Sequence, residues 1–196
     1  MTPIADIFCF AIRRARAADI ASIRAMQERS MWILGGAFYS DDELAGFLSQ
    51  YGTMDDAVVA EGHFFVAENH AGKILGSGGW TRRRPVYATG PGNSAETPAL
   101  PTVRSVFVDP AAERRGIASS IMACVEDDAH DHGVRKIALT ATLPGAALYE
   151  RLGYLTLGRE RLPLNNAGSF ACVRMTRLLE RSIDLTRDSE AWRFSA

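Results

Sequence analysis

A short turn between a strand-like run and a helix-like run constrains the fold of this chain most strongly. Residues 106–108 are typical of a β-strand, Pro110 ends that strand because it lacks a backbone donor, and residues 113–118 lead into a helix. At such a turn several main-chain N–H groups and the positive end of a helix dipole point at one place. The sequence therefore predicts a phosphate or pyrophosphate site where a strand meets a helix. No Gly-Lys-Ser/Thr follows the turn, so it is not a Walker loop.

Hydrophobic periodicity along the chain predicts the element order β-α-α-β-β-β-α-β-α-β-β. Ser40 to Glu43 has the pattern of a capping box, and Gly35-Gly36 is placed to end the preceding helix. This order predicts an α/β fold of the α+β type, a mixed sheet with helices on its faces, and not a doubly wound nucleotide-binding fold. The predicted strands are residues 8–14, 63–68, 73–84, 102–108, 134–140, 154–162 and 170–178, with a long loop at 85–101.

Composition excludes several classes of protein. A chain of 196 residues suits one domain, and a net charge of −1 argues against a general nucleic-acid binder. No apolar run approaches the ~18–20 residues of a membrane span, and the first residues lack the order of a secretory signal. We therefore expect a cytoplasmic protein without a membrane segment. Cys9, Cys124 and Cys172 match no metal spacing, and His130 and His132 point to different sides of a helix, so no metal is expected.

A second motif, residues 148–154, begins on a helix that follows directly after a predicted strand. Its Tyr149 is expected near the carboxyl end of that strand, where ligands of α/β sheets collect. A phenol there could donate a proton to a reacting group, or it could be a half-buried packing residue.

The two motifs together, separated by one helix and one strand, strongly resemble the GNAT superfamily of acyl-CoA-dependent N-acetyltransferases. The resemblance extends over residues 11–179 in element order and is sharpest over residues 103–158. It implies a mostly antiparallel, six- to seven-stranded sheet with about four helices and two splayed central parallel strands. It also implies one domain, residues 1–179, and a tail, residues 180–196, that packs on the domain or on a partner subunit.

This resemblance implies acetyl-CoA as co-substrate and no metal. The backbone of Val106, Phe107 and Val108 would orient the pantetheine arm and the thioester. The pyrophosphate would lie on a turn whose residues are Arg114, Arg115, Gly116, Ile117, Ala118 and Ser119. The family pattern Gln/Arg-x-x-Gly-x-Gly/Ala aligns on residues 113–118, with Glu113 departing at its first position. Tyr149 would be the general acid that protonates the departing CoA thiolate, and the Asn often found before its helix is absent.

The expected reaction is direct attack of an amine on the acetyl thioester, with a small-molecule or peptide amine as acceptor. The alternative is a non-catalytic CoA-binding or regulatory module of the same fold. In either case a homodimer is possible. The general base is not evident: Glu68 and Glu96 are candidates, and each is also a plausible solvated surface carboxylate.

Several residues allow two interpretations. Gly76, Gly78 and Gly79 could leave room for a substrate beside their strand. Five aromatic residues could line an acceptor pocket or belong to the core: Trp32, Tyr39, Trp80, Tyr87 and Phe170.

Overall fold

The computed structural model describes residues 9–83, 100–165 and 168–180. Most of the predicted 85–101 loop, with Tyr87 and Glu96, and the tail beyond residue 180 lie outside the described residues. No described helix is both long enough and apolar enough to cross a membrane.

The predicted order of strands and helices is confirmed. The strands are Ala11–Arg14 (β1), Phe64–Glu68 (β2), Ile74–Thr81 (β3), Thr102–Val108 (β4), Lys136–Thr142 (β5), Leu155–Leu164 (β6) and Gly168–Leu178 (β7). The helices are Ile20–Gly35 (α1), Asp41–Tyr51 (α2), Ala57–Ala60 (α3), Ile117–Asp131 (α4) and Leu143–Arg151 (α5). Helix α3 was not predicted, because four residues are too few to establish a helical period. The capping box of α2 forms as expected, with the Glu43 amide donating to the Ser40 hydroxyl at 3.2 Å.

The strands form one seven-stranded sheet in the order β1-β2-β3-β4-β5-β7-β6. All neighbouring strands are antiparallel except β4 and β5. These two parallel strands share one residue pair, Thr102 with Ala138, and then diverge. The predicted splay of the central strands is therefore confirmed, and it opens the sheet at its middle.

Helices cover both faces of the sheet. Adjacent residues of β2 point to opposite faces, so Phe64 packs with Ile23 of α1 while Phe65 belongs to the cluster that contains Ile121 of α4. Helix α5 packs on the same side as α4, and α2 packs over β6 and β7 on the side of α1. The two faces thus bring different helices to the gap between β4 and β5.

Two glycines of β3 allow α4 to approach the sheet closely. A Cβ at Gly76 would lie 2.6 Å from Ile117 Cγ2, and a Cβ at Gly78 would lie 2.8 Å from Ile121 Cγ2. Both distances are shorter than real carbon contacts allow. The hypothesis that these glycines leave room for a substrate is therefore wrong: the space above them is filled by α4, whose N-terminus they bring against the sheet.

Tyr39, in the connection between α1 and α2, joins three elements. Its ring stacks on Phe170 of β7 with 4.0 Å between ring centroids. Its hydroxyl donates to the Ala171 carbonyl at 2.8 Å and accepts from the Leu143 N–H, the first of α5, at 2.7 Å. Burial raises the pKa of this phenol well above its usual value. Tyr39 therefore acts as a cap for α5, a role that its sequence context did not predict.

Replacing Tyr39 by phenylalanine should lower the free energy of unfolding by about 1–3 kcal/mol, because a carbonyl and a helix N–H lose their partner in a buried place. Urea unfolding followed by circular dichroism measures this change. The matched control is Tyr51→Phe, which removes a hydrogen bond to the Pro163 carbonyl of 2.7 Å in an exposed place. An equal loss in both variants would contradict the capping role.

Candidate active site

A cleft of about 830 Å³ passes through the sheet where β4 and β5 separate. It is bounded by α1, α2 and residues 52–55 from one face of the sheet, and by the start of α4 and by α5 from the other. Most of the residues that the sequence predicts for cofactor binding and catalysis line this one cleft: Val106, Phe107, Val108, Arg114, Gly116, Ile117, Ala118, Ser119 and Tyr149. Arg115 does not line it.

The turn before α4 has the backbone geometry of an anion site. Gly116 is the N-cap residue with φ 81°, and Arg114 also has a positive φ of 61°. Among the described residues no side chain caps the N-terminus of α4. The first N–H groups of a helix have no partner within it, so those of residues 117–119 point into the cleft end with the positive end of the dipole behind them. This arrangement suits a pyrophosphate.

Asp109, at the end of β4, anchors the chain just before this turn. Its buried carboxylate lies 2.9 Å from Lys73 Nζ and 3.1 Å from an Arg29 Nη, and it accepts from the Ala111 N–H at 3.0 Å. Burial alone would raise the pKa of Asp109, but these three donors outweigh it and the pKa lies below its ordinary value. The carboxylate therefore holds the 3-10 turn Pro110–Ala112, and through it the direction of the chain toward Gly116.

An Asp109→Asn variant should lose about 1–3 kcal/mol of unfolding free energy at neutral pH, since two cations and an N–H lose a charged acceptor. A carboxyl with a lowered folded pKa contributes stability that is complete above its unfolded pKa and disappears as the pH falls through its folded pKa. The difference between wild type and variant should therefore shrink below about pH 4. Urea unfolding from pH 7 to pH 3 tests this, with the exposed Asp42→Asn as control. A pH-independent difference would contradict it.

A β-bulge in β4 directs the strand into the cleft. Ser105 has φ 53°, a rare conformation for a residue with a side chain, and the pairing of β3 with β4 shifts register there. The Ser105 hydroxyl donates to the Thr53 carbonyl at 2.7 Å, and its carbonyl accepts from the Ser77 hydroxyl at 3.1 Å. The Ser77 hydroxyl in turn accepts from the buried Gln27 amide at 3.0 Å. Sequence reasoning missed this bulge, because the run from Thr102 to Val108 reads as an uninterrupted strand.

Tyr149 lies on α5 and is 8% exposed, at the wall of the cleft. Its ring packs against that of Tyr154 with 5.7 Å between centroids. Helix α5 follows β5 without a loop and is capped by Tyr39. The position of Tyr149 in the cleft is therefore set by a short, well-anchored helix.

No cysteine among the described residues lines the cleft. Burial raises the pKa of the Cys124 thiol, and it raises that of Cys172 to about 12. Neither thiol is an effective nucleophile at neutral pH. The described part of the cleft therefore offers no thiol nucleophile.

The four described aromatic residues that were considered for an acceptor pocket do not line the cleft. Trp80 is buried in the core beneath α4, and Tyr39 and Phe170 stack within a second cluster. Trp32 is 41% exposed and does not line the cleft. The aromatic residues that line it on the side of α1 and α2 are Phe38, Phe47 and Tyr51.

The described candidate base, Glu68, does not line the cleft. Its carboxylate lies 2.7 Å from an Nη of Arg13, whose hydrogen bond lowers the pKa of Glu68. The described carboxylates that line the cleft are Glu113, in the turn before α4, and Asp55, on the side of α1 and α2. Asp55 had no sequence motif to mark it.

Residues 60–155 match the family model of the acetyltransferase (GNAT) domain. A comparison with curated protein sequences finds no match.

Solved structures share the fold. A GCN5-related N-acetyltransferase from Rhodopseudomonas palustris is 20% identical, with a TM-score of 0.65 over 86% of this chain and 95% of that one. PaiA N-acetyltransferase from Thermoplasma acidophilum, in complex with coenzyme A, is 10% identical, with a TM-score of 0.61 over 87% and 99%. A phosphinothricin acetyltransferase from Sinorhizobium meliloti, in complex with acetyl-CoA, is 20% identical, with a TM-score of 0.59 over 88% and 89%.

Proposed function

Because the chain belongs to the GNAT acetyltransferase superfamily, we propose that it moves an acetyl group from acetyl-CoA to a primary amine by direct attack. The observation that carries the proposal is the cleft that passes through the splayed sheet. It brings an anion-binding turn, an unpaired strand edge and a buried phenol to one place.

Acetyl-CoA would enter from the side of α4. Its pyrophosphate would accept hydrogen bonds from the main-chain N–H groups of Ile117, Ala118 and Ser119, with Arg114 adding charge at the rim. Its pantetheine arm would then lie along residues 106–108 of β4, where β5 has separated and the backbone has no partner in β5. The thioester would then lie between Tyr149 and the bulge at Ser105.

In the reaction, the neutral amine nitrogen attacks the thioester carbonyl carbon and a C–N bond forms. The negative charge that develops on the carbonyl oxygen is stabilised by a main-chain N–H among residues 106–108. The C–S bond then breaks, and the Tyr149 hydroxyl donates its proton to the departing thiolate of CoA. The nitrogen, which became positively charged on attack, releases one proton to water, so that a neutral amide remains. The phenolate regains a proton from solvent before the next turnover.

The acceptor would enter from the side of α1 and α2, between Phe38, Phe47 and Tyr51. An alkyl ammonium has a pKa of about 10 and must lose a proton before attack. Asp55 is the described carboxylate on this side of the cleft, and it would attract the ammonium form and receive its proton, directly or through water.

An Asp55→Asn variant should therefore raise the KM for the amine while leaving the KM for acetyl-CoA unchanged. Steady-state kinetics with each substrate varied in turn measures both constants. Equal changes in the two constants would assign Asp55 a structural role, through its hydrogen bond from the Ala57 N–H.

The proposed function is tested by measuring CoA release from acetyl-CoA in the presence of a panel of primary amines, with mass spectrometry of the products. An acetylated amine and stoichiometric CoA are expected. Tight CoA binding without release for any amine would favour the alternative, a non-catalytic CoA-binding module.

We also propose that residues 1–179 form one domain. Support comes from its last residues: Leu179 is buried in the main core cluster, and its N–H donates to the Arg135 carbonyl at 2.9 Å.

A further inference from the structure

Two histidines and an aspartate meet at the end of the sheet where β2 begins and α4 ends. His63 precedes β2, and Asp128 and His132 lie one turn apart at the end of α4. One nitrogen of each imidazole and one carboxylate oxygen lie within 4.8 Å of one another. His132 therefore lies next to His63, a residue far away in the chain, and not next to its sequence neighbour His130.

We propose that His63, Asp128 and His132 bind one divalent transition-metal ion of the zinc class. The Nδ1 atom of His63 lies 2.7 Å from Asp128 Oδ2, and that of His132 lies 3.7 Å from Asp128 Oδ1. Ligand atoms about 2.0–2.1 Å from a tetrahedral zinc ion lie about 3.3 Å apart. The two distances bracket this value. The Nδ1 atom of His132 also lies 2.7 Å from the Asp128 main-chain carbonyl oxygen, so a rotation of the His132 ring that gives up this hydrogen bond would bring all three ligands to one ion.

The carboxylate is already oriented as a ligand needs to be. Asp128 is 7% exposed, and it accepts from Trp80 Nε1 at 2.7 Å and from an Arg14 Nη at 2.6 Å. Ligating carboxylates commonly have such hydrogen-bonded partners, which hold them in place. The guanidinium of Arg14 also offsets the negative charge of Asp128, which lowers the affinity expected for a cation.

The histidines leave a route from solvent. The side chain of His132 is 48% exposed and that of His63 is 21% exposed. Water can therefore complete the coordination. On binding, the Nδ1 atom of His63 would be unprotonated so that it can coordinate the ion, and the ring would carry its proton on Nε2. Imidazole and carboxylate together suit zinc, nickel or copper, whereas magnesium prefers oxygen ligands.

This site is separate from the cleft. Helix α4 has 15 residues and so is about 22 Å long. The anion-binding turn lies at its first residue and the histidine cluster at its last. A bound ion would join the start of β2 to the end of α4, and it would stabilise the folded state without contacting either substrate.

The test is titration of the untagged protein with ZnCl₂ by isothermal calorimetry, and with CoCl₂ followed by visible absorption. All proteins carry Cys9→Ser, because Cys9 is an exposed thiol that could itself bind zinc. One ion per chain is expected, with no binding of magnesium. Zinc should raise the thermal midpoint of unfolding relative to the same protein in EDTA.

The matched variants are His132→Gln and His130→Gln, two changes on the same helix end. His132→Gln should weaken zinc binding by at least about tenfold, because even residues that only hydrogen-bond to a metal ligand typically cost about that much in metal affinity when they are replaced. The same variant should lose the cobalt absorption bands. His130→Gln should change neither. Failure to bind zinc, or equal affinity in wild type and His132→Gln, would overturn the proposal. His63→Gln gives an independent check, since it changes a ligand on a different element.

Discussion

Replacing Tyr149 by phenylalanine is expected to lower kcat for acetyl transfer by about 10²–10⁴-fold, the usual contribution of a positioned general acid. Without the proton, the CoA sulfur must leave as a thiolate. Phenylalanine preserves the ring that packs against Tyr154, so the fold and the affinity for CoA should not change. Steady-state assays of CoA release measure kcat, and calorimetry with CoA measures the affinity for CoA separately.

Tyr154→Phe is the control for this experiment. The ring of Tyr154 neighbours that of Tyr149, and it is buried, but it does not line the cleft. Burial raises the pKa of Tyr154 far above its usual value, so it is a poor source of protons. Its variant should keep kcat. If Tyr149→Phe turned over at the wild-type rate, Tyr149 would have no part in the chemistry; if Tyr154→Phe lost as much as Tyr149→Phe, the effect would be one of packing.

Replacing Gly116 by valine is expected to weaken CoA binding by about 10–100-fold or more. Gly116 has φ 81°, a conformation that β-branched residues adopt only with strain. No atom outside the adjacent residues lies within 4 Å of a Cβ built there, so the cost of the substitution is strain in the backbone and not a steric clash. Hydrogen bonds to a charged group contribute about 1.5–3 kcal/mol each, and about 1.4 kcal/mol is a factor of ten in affinity. Misaligning one or two main-chain donors thus accounts for the expected loss.

Arg114→Ala should weaken CoA binding much less, because an exposed side chain contributes mainly screened charge. Calorimetry with CoA ranks the two variants, and thermal unfolding without CoA separates lost binding from lost stability. A larger effect of Arg114→Ala than of Gly116→Val would mean that side-chain charge, and not the backbone, holds the pyrophosphate.

Local sequence patterns predicted much of the fold. Strand β4 was predicted at its observed bounds and β5 to within two residues of them, because each has an apolar run with a proline or glycine next to it. The turn at Gly116 was predicted for the same reason: its geometry depends on a few adjacent residues.

Contacts between residues far apart in the chain could not be predicted from local sequence patterns. The bulge at Ser105 depends on hydrogen bonds from Ser77 and to Thr53, and neither partner is near in the chain. Trp80 was a candidate for the acceptor pocket, but its indole donates to Asp128 in the core. Asp55 belongs to no sequence motif, and only the packing of helices and sheet brings it to the cleft.

The sequence by itself determined the order of the elements, the glycine turn before α4 and the helix that carries Tyr149, because these depend on backbone conformation and on periodicity within one segment. The tertiary structure decided the rest. It decided that β4 and β5 part after one residue pair, which aromatic side chains face the cleft, and that His63 meets Asp128 and His132. The physical reason is that a side chain's surroundings are made by residues far away in the chain, and only packing of the whole sheet brings them together.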